Sequence, residues 1–199
     1  MEKSKKISIT GTANKSAIKK LITNRHEEKE FKKRVASEKW TFDDEYYHHT
    51  NQIKVLEIIN NNLINKNEET KKNEETKKNE EISKIMIQEI SKKIYNYKQQ
   101  DLLKKKYNEE KFLTFDNVIQ KLVECNLKCR YCDTELLILY DISREMKQWS
   151  VDRIDNEIGH NNDNFHLACL DCNLKRRKRT DEKFLFTKKL NLIKQHTNS

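Results

Sequence analysis

The sequence predicts an α+β fold: a small zinc-stapled domain behind a mainly helical, highly charged N-terminal extension. Three observations carry that expectation. Two C-x-x-C pairs, Cys129–Cys132 and Cys169–Cys172, stand 36 residues apart. Strand-like segments flank a polar loop between them, and apolar residues recur at helical spacing ahead of them. With 37% charged and 35% hydrophobic residues in 199, the chain can fill one modest core with extensions, not two full domains.

Residues 1–66 read as a helical accessory region. Phe31, Val35, Trp40, Phe42, Tyr46 and Tyr47, then Ile53, Leu56, Ile59 and Leu63, give helix-like apolar spacing. His48 and His49 are adjacent and so point to different faces, which reads as two surface residues and not a metal pair. Residues 67–81 repeat Asn-Glu-Glu-Thr-Lys-Lys without one apolar side chain, as a charged linker or exposed helix does. Over 82–110 an amphipathic helix is expected, with Ile82, Ile85, Met86, Ile90, Ile94 and Tyr97 on one face.

The remaining segment, 111–199, carries the chemistry. Thr114 caps a short helix whose Phe115, Val118, Ile119 and Leu122 face a core. "ELLILY" and "QWSVDRI" read as strands, Asn156 to Asn164 as a hairpin loop, and Phe165 to Ala168 as the return strand. The second cysteine pair then opens a helix through "NLKRRKR", and Thr180 caps a last one with Phe184, Leu185, Leu190 and Ile193 on its apolar face.

Each C-x-x-C sets two thiolates on one knuckle, and two knuckles complete the tetrahedral four-sulfur set that suits structural zinc. Four protein ligands leave no open position, so this ion would fold the domain and not react. Cys125 is left as a spare thiol. Paired cysteines of this kind suit a reducing compartment. No run approaches the length that spans a bilayer, and the basic opening lacks the apolar core of a secretory signal, so an intracellular, non-membrane protein is expected. A net charge of +9 favours an anionic partner, and the excess is local: Leu174 to His196 holds nine basic residues against two acidic.

Cys129-x-x-Cys132, Asp152, Gly159-His160, Asn164, Cys169-x-x-Cys172-Asn173 and Lys175, in that order, resemble the HNH endonuclease family in its zinc-bearing ββα-metal form. The likeness covers about residues 112–180. It implies a metal-dependent endonuclease acting on DNA. Asp152 and Asn173 would hold the catalytic divalent ion, Mg²⁺ or another, and Asn164 would pin the loop. The chain departs from the family where the water-activating histidine follows the metal-binding aspartate, because Arg153 stands there, in an Asp-Arg-Ile-Asp variant. An arginine, with a pKa above ~12, is no base at neutral pH, though it can hold a phosphate oxygen. His160 is then the first candidate for the base and Asp155 the second, with His166 a packing or surface residue. Lys175, Arg176, Arg177, Lys178 and Arg179 would follow the DNA backbone. The alternative expectation is a zinc-stabilised DNA-binding module that has lost catalysis, and a third is a zinc-dependent interaction domain.

Overall fold

A computed structural model of the chain describes residues 11–12, 32–64 and 74–189. The chain divides between Lys32 and Lys33, and the unit from Lys33 onward contains both cysteine pairs. Expectations for Phe31, Leu190, Ile193 and the first half of the charged repeat lie outside the described residues.

After two short 3-10 turns, Ser37–Lys39 and Asp44–Tyr47, the chain enters α1, His49–Ile64. This helix buries Gln52, Val55, Leu56 and Ile59, and it packs on α3, Phe115–Glu124. Between them in sequence runs α2, Glu74–Leu103, thirty residues without a break. The expected division at 81 is absent, because Ile82, Met86 and Ile90 are fully buried and the charged turns ahead of them continue the same helix. From Lys33 onward the extension therefore shares one core with the cysteine-bearing segment. No helix among the described residues is long and apolar enough to cross a membrane.

α3 begins where its cap predicts: the Thr114 hydroxyl accepts from the Asn117 amide at 3.2 Å, satisfying one of the orphan donors of the first turn. It ends at Cys125, where Asn126 and Leu127 take left-handed conformations that turn the chain into the first knuckle. His48 is exposed as expected, but His49 is not: its Nε2 lies 3.0 Å from the Leu127 carbonyl oxygen in the core.

β1, Trp149–Arg153, and β2, Phe165–Cys169, form a two-stranded antiparallel ribbon in register Asp152↔His166. Such a ribbon is marginal alone and needs cover. α4, Leu170–Arg176, follows β2 directly and packs on both strands. α2 supports the ribbon from another side, where the Val151 amide donates to the Tyr97 hydroxyl at 3.0 Å. Lys93 of α2 donates to the Gln148 side chain and the Trp149 carbonyl, and burial lowers its pKa to about 7. The last helix, α5, Asp181–Lys189, buries Phe184 against the edge of Tyr131.

"ELLILY" differs from its expected form. Leu136, Ile138 and Leu139 are fully buried, but the segment makes only isolated bridges, Lys128↔Glu135 and Leu137↔Gln148. Leu136 and Leu137 bond to neighbouring backbone, while Ile138 and Leu139 are satisfied by one side chain from α1. Gln52 Oε1 accepts from Ile138 N at 2.7 Å and Leu139 N at 3.0 Å, while Nε2 donates to Leu139 O at 2.8 Å. At Ile138 and Leu139 a buried amide thus takes the place of a partner strand. Gln52→Leu keeps the volume and strands these three backbone groups, each costing about 1–3 kcal/mol. The unfolding free energy from urea titration is expected to fall by about 3 kcal/mol or more.

Candidate functional site

The four paired cysteines meet. Their sulfurs all lie within 4.8 Å of one another, and this set can hold a structural metal ion such as zinc. Each knuckle is built by backbone hydrogen bonds. Cys129 N donates to Thr134 O and Asp133 N to Cys129 O, with Asp133 in a left-handed turn. In the second pair Cys172 N donates to Cys169 Sγ at 3.4 Å, so Cys169 closes β2, caps α4 and offers a ligand at once. The Cys169 contact lowers Cys129 to about 5, while that same contact and burial push Cys169 far up, and burial beside Cys129 pushes Cys172 up to about 12. Packed alone, the four thiols cannot all ionise; a thiophilic cation lets them do so. Cys125 stays outside the cluster, its Sγ donating to Leu122 O.

Beside the sulfurs lies a buried polar network. Tyr131, inside the first knuckle, has its hydroxyl 2.6 Å from Asp152 Oδ2 and 2.7 Å from Asp181 Oδ1. One hydroxyl proton cannot serve two carboxylates, so the second short contact needs a protonated carboxyl. Burial, opposed by Tyr131 and Arg176, raises the Asp152 pKa from its ordinary value. Arg176 Nη1 donates to Asp152 Oδ1 at 2.7 Å and Nη2 to Ile154 O at 2.8 Å. Arg176 is therefore 1% exposed, and of the five basic residues expected along a DNA backbone this one is turned inward by its pairing with Asp152. Asn173 packs one step back along the strand, its Nδ2 donating to Ser150 Oγ at 3.1 Å and Val151 O at 3.2 Å.

The hairpin loop is held by Asn164. Its Oδ1 accepts from Asp155 N at 2.8 Å, and its Nδ2 donates to Asp155 O at 2.9 Å and Gly159 O at 3.0 Å. Arg153 Nη1 donates into the same loop, to Ile158 O and Asn156 O. Asp155 is exposed and accepts from Glu157 N. Gly159 is required by close approach: a Cβ there would stand 2.4 Å from the Lys106 carbonyl oxygen.

His160 is drawn away from Asp152. Its Nδ1 lies 2.8 Å from Asp101 Oδ1, its amide donates to Asp101 Oδ2, and its ring packs on Tyr97 at 4.6 Å. These partners belong to α2, whereas those of Asp152 belong to the first knuckle and α4. The histidine on the face of Asp152 is His166, its cross-strand partner, with Nε2 3.6 Å from Asp181 Oδ2 and the side chain 28% exposed. Sequence spacing held one signal for it: strand residues opposite each other across a hairpin share a face.

Comparison of the chain with family models, curated proteins and solved structures gives no match. The chemistry of the site rests on its own residues.

Two measurements test these assignments. Purified protein is expected to carry one zinc by elemental analysis, and cobalt substitution should give thiolate-to-metal charge-transfer bands. Cys172→Ser should abolish both and lower the melting temperature by more than ~10 °C, since a structural zinc site contributes folding free energy directly. Burial lowers the pKa of both His160 and His166 below 6.5, so the unfolded chain binds protons first as pH falls. Their contribution to stability is complete above 6.5 and is lost below it, by up to about 1.4 kcal/mol per pH unit for each. Urea titrations at pH 7.5, 6.5 and 5.5 should show that loss, and His160→Gln should make it shallower.

Proposed function

We propose that the chain is a metal-dependent endonuclease hydrolysing DNA phosphodiester bonds, of the HNH kind its motif resembles. The reading is carried by one arrangement: Asp152 near the end of β1 faces α4, whose Asn173 packs on the preceding residues, and the four-cysteine cluster opens that same helix. Asp152 and Asn173 would offer one carboxylate and one carboxamide oxygen, the sparse, oxygen-only set that suits Mg²⁺ or a similar ion. Bound there, such an ion supplies polarisation of the scissile phosphate and stabilisation of the leaving oxygen. Arg153, fixed against loop carbonyls, keeps a permanent charge for a phosphate oxygen. Tyr131 and Arg176 hold the Asp152 carboxylate in place.

Water activation requires a base on the face of Asp152. His160 is committed to Asp101 and Tyr97, and Asp155 to the turn of its own loop, so this role passes in our reading to His166.

One observation favours the second reading, a zinc-stabilised DNA-binding module without catalysis. Arg176 already neutralises Asp152 from within, as a cation would. Cleavage of supercoiled plasmid with Mg²⁺ or Mn²⁺ separates the two. The endonuclease reading expects nicking that Asp152→Ala reduces by roughly 100-fold or more and His166→Ala reduces comparably, with His160→Ala active at permissive temperature. Binding without any nicking by the wild-type protein would establish the second reading in its place.

A further inference from the structure

Arg153, Arg177, Lys178 and Arg179 line a surface cleft of about 550 Å³. Two further cations come from outside the segment that bears the motif: Lys104 and Lys106, just beyond the end of α2, where Lys106 and Arg153 both donate to the Asn156 carbonyl. Six cations thus face two carboxylates, Asp155 and Glu157. The few contacts that fix these cations are mainly to carbonyl oxygens and leave their charge available. Lys106 Nζ donates to Asn156 O at 2.6 Å, Arg153 to Ile158 O, and Arg179 Nη2 to Lys175 O at 2.5 Å; Glu157 stands off at 3.8 Å from Lys106.

Both cationic turns bend at non-glycine residues with positive φ, Lys105 at 55° and Arg177 at 56°. Such conformations cost of order 1–3 kcal/mol and persist only where surrounding contacts enforce them. The enforcing contacts are visible. Asp101 binds the amide and ring of His160, Gly159 lets the Lys106 carbonyl approach, and Asn156 Nδ2 donates to Arg177 O. The hairpin loop is thereby locked to the end of α2 on one side and to the turn after α4 on the other.

We propose that this cleft binds the DNA phosphodiester backbone and that Lys104 and Lys106 each engage a phosphate, so that the segment following α2 is part of the nucleic-acid interface. Charge complementarity commits the occupant: six cations against two carboxylates in one cleft fit a polyanion with regularly spaced charges. The motif segment alone supplies four of these six cations. The inference rests on the nucleic-acid reading above and deepens it, because it assigns a role to a segment the motif does not include.

The test is fluorescence anisotropy with a labelled duplex of about 25 base pairs, without added divalent metal, from roughly 50 to 300 mM salt. Each lost phosphate contact lowers the log–log salt slope by ~0.9 and affinity at about 0.1 M salt by roughly eightfold. Lys104→Ala/Lys106→Ala should therefore bind about 60-fold more weakly with a slope smaller by about 2. Lys104→Glu, at an exposed residue, should weaken binding by about eightfold or more with unchanged melting temperature. Lys54→Ala, an exposed charge on α1, should bind as wild type. Wild-type affinity and slope in the Lys104 and Lys106 variants would overturn this inference and leave the nucleic-acid reading standing. Absence of salt-dependent binding by the wild-type protein would overturn both.

Discussion

Four sulfurs within 4.8 Å of one another set the constraint on which the functional half of this structure depends. They join a knuckle that follows α3, the last residue of β2 and the first turn of α4. At seven residues α4 is too short to persist by itself, so its place is set by what grips its ends. Cys169 and Cys172 grip the start, and Arg176 grips the far end through Asp152. Asp152 is in turn held by Tyr131, which lies between the two cysteines of the first knuckle. Sulfur cluster, tyrosine, aspartate and arginine therefore close a ring of contacts, and the charge at Asp152 is tied to the geometry of the thiols.

A second constraint comes from the thinness of the sheet. Two five-residue strands cannot cover their own edges and faces. α4 covers one side, while α2 supplies Tyr97 to a free amide of β1 and Asp101 to the loop beyond it. The long helix is thus a structural member of the hairpin, and the turn at its C-terminal end carries two lysines to the rim of the same loop.

What could be seen in the sequence was what local chemistry determines. The Thr114 cap, the span of the two strands, the paired cysteines and the Asn-rich loop all depend on residues within a few positions of each other. What could not be seen depends on partners far along the chain. Gln52 is an ordinary polar residue in a helical pattern until Ile138 and Leu139 meet it 86 and 87 positions later. "ELLILY" has strand composition, but at Ile138 and Leu139 its pairing is taken by that side chain, and β-composition alone measures fit to a half-buried surface. His160 sits in a loop that composition makes solvent-facing, and only Asp101, 59 residues earlier, draws it inside. Arg176 stands in a run of five cations with nothing local to mark it as the one that turns inward. The mixture of helices with a small sheet and the thiol cluster were accessible from pattern; the shared core with the extension and the assignment of roles among charged neighbours were not.

Gln52 also determines where this polypeptide can be cut. The segment with recognisable chemistry begins near residue 111, and a boundary drawn by motif would fall there. A fragment starting at that point would lose α1 and α2 together. Ile138 and Leu139 would keep their burial requirement without the amide that serves their backbone, and β1 would lose its support at Val151. The smallest autonomous folding unit is accordingly much larger than the motif, and it starts upstream of α1.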